Sequence, residues 1–391
     1  MNRRHFILSA TTAAVAAQGA TQRTRVAIIG HTGRGNYGHG LDTMWQRLPE
    51  LFEVVAVADG APTGLADAKK RLGIEKGYSD YTHMLAEVKP EIVAIGPRHI
   101  DQHRDMIVAA SKAGLRGIYI EKPFCRTLAE ADEVTAACSQ SNTKLAVAHR
   151  NRYQPVLATV KKLIDAGEIG RVLEYRARGK EDQRGGSEDM WVLGSHLFNV
   201  MHTLGGKPLS CSASIYQGGS LATKEHLKPG AEGLGPLLGD EIHAQFRFEN
   251  GLCGRFTSIR SAGEKSAGFG VHIVGTKGLI DLRMDTNPTA QLLPGNPSSP
   301  SKGTKEWIPI STAGVGKPEP DPTIFAQVND HRIAAIDLLE AIKANRQPLC
   351  SGEDARIVME MTFGVFASHV ANGSLVSLPL RSRSHPLEIW Q

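Results

Sequence analysis

Between Arg25 and about Ala148 the chain alternates short apolar runs with amphipathic stretches. Residues 26–29, 54–58, 92–95, 118–120 and 145–148 are brief and rich in β-branched or small apolar side chains, the pattern of strands buried on both faces of a parallel sheet. Between them, residues 61–71, 103–113 and 128–139 carry apolar positions at helical spacing. Strand and helix in strict alternation predict a doubly wound sheet.

After Arg150 the rhythm changes. Residues 153–166 predict a helix, with Val156, Val160, Leu163 and Ile164 at three- and four-residue steps, and Gly167 to Gly170 end it. A strand over 171–178 then gives way to a polar stretch, 179–189, and another helix is expected over 193–204. Two-residue alternation over 242–248, 253–259, 271–274 and 279–282 predicts an antiparallel sheet. The Gly/Pro/Ser-rich stretches 218–239 and 293–303 read as long solvated loops, with lids or oligomer contacts as the other reading. Residues 329–344 and 353–371 predict amphipathic helices, and Ala335, Leu338, Leu339 and Ile342 form a stripe for core packing.

These patterns divide the chain into a parallel α/β domain over 21–150 and an α+β domain over 151–391. The second carries a large, mainly antiparallel open sheet and C-terminal helices free to pack back on the first. A length of 391 residues suits two such cores. Apolar residues at 41% and charged residues at 22% fit neither a disordered chain nor a membrane-embedded body. The formal charge of +5 includes Arg3 and Arg4; without a leader holding them about +3 remains, so no nucleic-acid partner is implied. Five cysteines show no metal-ligand spacing, the histidines are dispersed, and no metal site is expected.

Residues 1–20 read as an export leader. Arg3-Arg4 precedes Phe6 and a weakly apolar, alanine-rich run, and Ala14-Val15-Ala16 supplies a small-residue cleavage site. The expectation is a periplasmic protein exported by the twin-arginine route, with a cytoplasmic location if the leader does not function. No run long enough to span a bilayer is present, so no membrane anchor is expected.

Candidate chemistry gathers where strands end. Directly after the first strand comes Gly30-His31-Thr32-Gly33-Arg34-Gly35-Asn36-Tyr37-Gly38, a loop expected to bring backbone N–H groups to a pyrophosphate at a helix N-terminus. Its register is open: Gly30, Thr32 and Gly35 fill the fingerprint positions, or Gly33, Gly35 and Gly38 do. Asp59 ends the second strand, where a carboxylate can accept both adenosine ribose hydroxyls and repel a 2′-phosphate, which favours NAD over NADP. Glu121-Lys122-Pro123 follows the run 117–120, so Lys122 is expected at the carboxyl edge of the sheet, facing a bound dinucleotide.

Taken with Gly96-Pro97 followed by His103, Arg152-Tyr153-Gln154-Pro155, Gly167-Glu168-Ile169-Gly170 and Gly194-Ser195-His196, these residues resemble the glucose-fructose oxidoreductase and inositol dehydrogenase group, Gfo/Idh/MocA. The resemblance spans nearly the whole chain after the leader. It implies an N-terminal Rossmann domain for NAD and a C-terminal domain that covers the cofactor and forms a homo-oligomer, dimer or tetramer. It implies cofactor contacts at Gly30, Thr32, Gly33, Arg34, Gly35, Asp59, Gly96, Pro97, His103, Glu121 and Lys122. Catalysis is assigned to Lys122 and to His196 as acid/base, with Arg152 and Tyr153 on the substrate side. One departure stands out: the aspartate common four residues before the histidine is Val192 here. Asp182, Glu188 or Asp189 are candidates to replace it, and Arg184 to grip substrate, unless that stretch is a solvated charged loop.

Three functions follow. The first is NAD-dependent oxidation of a secondary alcohol on a sugar, cyclitol or sugar derivative. The second is a glycosidase-like lyase that oxidises transiently, eliminates and returns the hydride to a retained cofactor. The third is a silent sugar or dinucleotide sensor.

Overall fold

The computed structural model describes residues 22–264, 268–299 and 305–390. The leader and part of the 293–303 stretch lie outside them. Six parallel strands, β1 (Thr24–Ile29), β2 (Phe52–Ala58), β3 (Gly77–Tyr78), β4 (Ile92–Ile95), β5 (Gly117–Ile120) and β6 (Lys144–Val147), form the first sheet in the order β3-β2-β1-β4-β5-β6. Helices α1 (Pro62–Leu72), α2 (Tyr81–Val88), α3 (His103–Lys112) and α4 (Leu128–Ser141) connect them. The apolar runs mark their strands closely because both faces are covered: all four residues of β4, of β5 and of β6 are buried. Short β3 and α2 carry too little periodicity to be foreseen; α2 is set by Asp80, whose carboxylate accepts the N–H groups of Thr82 and His83.

Strand order reverses between β1 and β4, which opens a crevice at their carboxyl ends. The segment after β1 corrects the sequence expectation. No α-helix follows the glycine loop; turns run from His31 to Thr43 and end in a 3-10 helix, Met44–Arg47. Gly33, Gly35, Gly38 and Gly40 have φ of 84°, 89°, 62° and 86°, and Asn36 has 52°, a left-handed series that no right-handed helix can contain.

The second sheet has eleven strands and is mainly antiparallel. Its centre is Val172–Arg178, which runs parallel to Cys253–Ile259 and antiparallel to Gly270–Gly275. Strict burial alternation along Glu241–Phe248 shows one covered and one open face. Helices Ser195–Gly205 and Gly352–Val370 lie on the covered face, and Gly352–Val370 also packs on α4 and β6. Helix Arg332–Ala344 packs on β5 and β6. A Cβ at Gly117 would stand 2.7 Å from Ile342, so the foreseen stripe seats on the first sheet.

Two further segments differ from expectation. The stretch 218–239 folds into a hairpin of Leu227–Pro229 and Pro236–Leu238, with Leu234, Leu237 and Leu238 buried, because its leucines find a core. The helix expected over 193–204 begins as a wide π turn, Met190–Gly194, and becomes α-helical at Ser195–Gly205.

Candidate active site

The ends of β1, β2, β4, β5 and β6 and one helix supply the cleft. After β5, Lys122 is buried and its Nζ donates to the carbonyl of Val192 at 3.2 Å, within the π turn. The position where the resemblance led to a carboxylate therefore offers a main-chain acceptor to the lysine. Burial lowers the Lys122 pKa, and the charges of Glu121 and Glu232 oppose that shift. Arg150, just after β6, and Arg184 lie within electrostatic reach of the same ammonium.

His196, in the first turn of helix Ser195–Gly205, is also buried, and its pKa falls well below the ordinary value through burial and through His149, Lys122 and Arg150 nearby. Lys122 and His196 thus belong to one cluster, with His149 edge-on to His196 at a ring separation of 5.3 Å. His149 is held to about 3 by burial first and by Lys122 second. A neutral imidazole beside a buried ammonium can take a proton while the cation stabilises the alkoxide left behind.

Several expected cofactor contacts act instead as the frame of the cleft. Glu121 is fully buried and accepts from the N–H and ring of His39 and from the N–H of Lys122. Burial would raise its pKa, but His39, Lys122 and His331 bring it down to about 2. Its side chain fills the space a Cβ at Gly38 would need, so it clamps the glycine loop. His103 is likewise enclosed, with Nδ1 2.8 Å from the carbonyl of Phe124 and Nε2 2.7 Å from that of Pro97, and joins the turns after β4 and β5. Neither side chain is open to a ligand.

Asp59, at the end of β2, is already engaged within the chain. Its carboxylate accepts from Thr32 N–H, Thr32 Oγ1 at 2.7 Å, Tyr37 Oη at 2.8 Å and Ala61 N–H at 2.9 Å. Burial would raise its pKa, yet these hydrogen bonds hold it below the ordinary range. About four lone-pair sites are then occupied, and ribose hydroxyls would compete with Thr32 and Tyr37 for them. The cleft itself suits an adenosine half: a cavity of about 370 Å³ is bordered by Gly30, His31, Arg34, Asp59, Gly60 and Gln102. Gly33 has open space where a side chain would stand. Gly35 needs its lack of one, since a Cβ would lie 2.2 Å from the N of Arg98 in the turn after Gly96-Pro97. Arg34 pairs with Asp101 at the rim.

On the substrate side, Arg184 forks onto Asp182, with Nε at 3.0 Å and Nη2 at 2.5 Å. Glu188 lies within electrostatic reach of Arg184. Asp189 is a correction: it is fully buried and accepts from Glu181 N–H at 3.0 Å and Ser258 Oγ at 2.6 Å, so it staples the polar stretch to the second sheet. Tyr153 is another, being buried in the core with its hydroxyl 3.5 Å from the carbonyl of Cys350. Arg152 is partly buried beside it, and its Nε has no hydrogen-bond partner.

Residues the sequence reading missed complete the cluster. His149 and Arg150 follow β6 directly, and the rule that ligands bind beyond strand carboxyl ends points to them. Glu232 had no such signal. It sits in the hairpin loop with φ 53°, pairs with Arg98 at 3.0 Å and lies within electrostatic reach of Lys122, so a strap from the second domain meets the first. Among the described residues no group of histidine, cysteine and acidic side chains could hold a metal, and no helix is long and apolar enough to cross a membrane.

A doubly wound sheet with a glycine-lined crevice, capped by an open-sheet domain that brings a histidine to a buried lysine, defines a two-domain nucleotide-dependent oxidoreductase. Residues 24–149 match the oxidoreductase family's NAD-binding Rossmann fold and residues 161–378 its C-terminal alpha/beta domain. The chain belongs to the Gfo/Idh/MocA oxidoreductase family.

Among curated relatives, levoglucosan dehydrogenase of Pseudarthrobacter phenanthrenivorans is 25% identical over 68% of this chain and 75% of its own length. D-apiose dehydrogenase of Paraburkholderia graminis is 31% identical over 42% of this chain and 40% of its own. The NAD(+)-named scyllo-inositol 2-dehydrogenase of Bacillus subtilis is 29% identical over 39% and 44%. Among solved structures, levoglucosan dehydrogenase in complex with NADH and levoglucosan superposes with a TM-score of 0.72 at 22% identity, covering 92% of this chain and all of that one. An NAD-binding oxidoreductase from Klebsiella pneumoniae gives 0.69 at 21%, with 92% of this chain and all of that one covered.

Proposed function

We propose that this protein uses NAD to oxidise a secondary alcohol on a sugar, a cyclitol or a close derivative. The observation that carries the reading is that Lys122 and His196 are both buried at the carboxyl edge of a nucleotide-binding sheet, with Lys122 Nζ bonded to the carbonyl of Val192 in the turn that leads into His196. Bound NAD supplies the hydride acceptor. His196 takes the hydroxyl proton, and Lys122, with Arg150 behind it, stabilises the developing alkoxide. Gly30, His31, Arg34 and Gly60 line the adenosine side, and Asp59 would join them by exchanging its Thr32 and Tyr37 bonds for ribose hydroxyls. The dehydrogenases of sugars and cyclitols among its relatives support the substrate class.

Export through the leader at Arg3-Arg4 belongs to the same proposal, as does association through the open face of the eleven-stranded sheet. The test is to purify the protein, identify any dinucleotide that accompanies it, and follow reduced nicotinamide against sugars, inositols and aryl glycosides. Net reduction with a polyol supports the reading. Glycoside cleavage without net reduction replaces it with the transient-oxidation route, and inertness throughout with a sensor.

A further inference from the structure

Behind His196 lies a second imidazole with no role in the chemistry so far. His149 Nε2 and His196 Nδ1 are both sealed from solvent and both lack a hydrogen-bond partner, on rings 5.3 Å apart at 86°. Two nitrogens left unpaired on adjoining buried rings are costly unless they serve each other, directly or through one water. The far side of His149 is anchored: its Nδ1 is 3.7 Å from Cys350 Sγ, and that sulfur accepts from Asn199 Nδ2 at 3.4 Å. Asn199 sits one turn after His196 on the same helix, so the helix carrying His196 also fixes the support of His149.

We propose that His149 is the positioning partner of His196, accepting the His196 Nδ1 hydrogen through its own Nε2, so that the other nitrogen of His196 is presented to the substrate hydroxyl. The proposal rests on reading the cleft as an alcohol-oxidising site. As the substrate O–H bond breaks, a new N–H bond forms on His196, and the resulting positive charge is shared along the His196–His149 pair. His149 keeps its Nδ1 hydrogen toward Cys350 Sγ, and no proton leaves the pair during the step. An imidazole here performs the orienting task of a carboxylate without placing a negative charge beside Lys122. The groups that bias the pair are Lys122, Arg150 and His39 around His196, with Glu121, Asp354 and His202 around His149.

The test begins without any substrate. The full chain is labelled with ¹⁵N-histidine, and the ring nitrogens of His196 are followed in wild type, His149→Phe and His149→Gln. In wild type His196 holds one neutral tautomer. In His149→Phe it averages between two, and His149→Gln, which restores an acceptor, recovers the single form. Identical His196 signals in wild type and His149→Phe overturn the proposal, whether or not any sugar is turned over. On an alcohol that is turned over, His149→Phe lowers kcat at least about tenfold with KM within about twofold and moves the acid limb of the kcat profile. An unmoved limb and kcat would refute the pairing while leaving the alcohol-oxidising reading intact.

Discussion

Lys122 Nζ and the carbonyl of Val192 meet at 3.2 Å, which ties the strand end of one domain to the π turn of the other. That contact holds the ammonium in place without neutralising it, because a carbonyl accepts a hydrogen bond but carries no full charge. Lys122→Ala should therefore lower kcat/KM by about 10²–10⁴-fold. Its thermal midpoint should stay near that of wild type, since a buried charge with one modest bond is a weak source of stability. Steady-state kinetics alongside thermal unfolding checks this, and a variant at full rate would remove Lys122 from the chemistry.

Tyr37 Oη and Thr32 Oγ1 occupy the carboxylate that nucleotide ribose would use. Tyr37→Phe frees one acceptor position and should tighten NAD binding by a few-fold, at a stability cost of about 1 kcal/mol. Calorimetric titration reads the first effect and denaturant unfolding the second. Weaker NAD binding in Tyr37→Phe would mean that the ring positions the cleft rather than competing for it.

The chain's alternation of apolar runs and helical spacing already contained the first domain. Strands 92–95 and 117–120 were legible because complete burial leaves an uninterrupted apolar signature. The glycine loop misled, since the same glycines that permit a strand-to-helix turn also permit the left-handed series observed. Asp59 was found at its strand end, but its partners depend on where Tyr37 falls, which the loop's path decides. His149 and His196 are distant in sequence and meet only through inter-domain packing, and Glu232 arrives on a hairpin whose leucines gave no periodic signal.

Acid should weaken the fold through its buried histidines. His385, enclosed by Trp191, Phe363 and Phe366, is pushed by burial from 6.5 to about 4. The unfolded chain binds that proton more readily, so the stability contribution is complete above pH 6.5 and is lost as pH falls toward about 4. Replacing His385 by Phe should flatten the pH dependence of the urea midpoint across that window. An unchanged slope would show that this histidine is protonated in the folded state.

The strap should govern cofactor retention. Glu232 pairs with Arg98 at 3.0 Å, and a partly exposed ion pair of this kind is worth about 0–1 kcal/mol. Glu232→Gln is then expected to raise the NAD dissociation rate about two- to fivefold at low salt, with a smaller effect at high salt. Stopped-flow displacement measures it. No change at low salt would exclude the strap from gating.

The central claim is that one nicotinamide ring lies against both the ammonium of Lys122 and the imidazole of His196. Solving the structure of the protein soaked with NAD tests it most directly. The account predicts the nicotinamide beneath these two side chains, with room for one substrate carbon between them. A nicotinamide bound elsewhere, with Lys122 and His196 facing separate spaces, would contradict it.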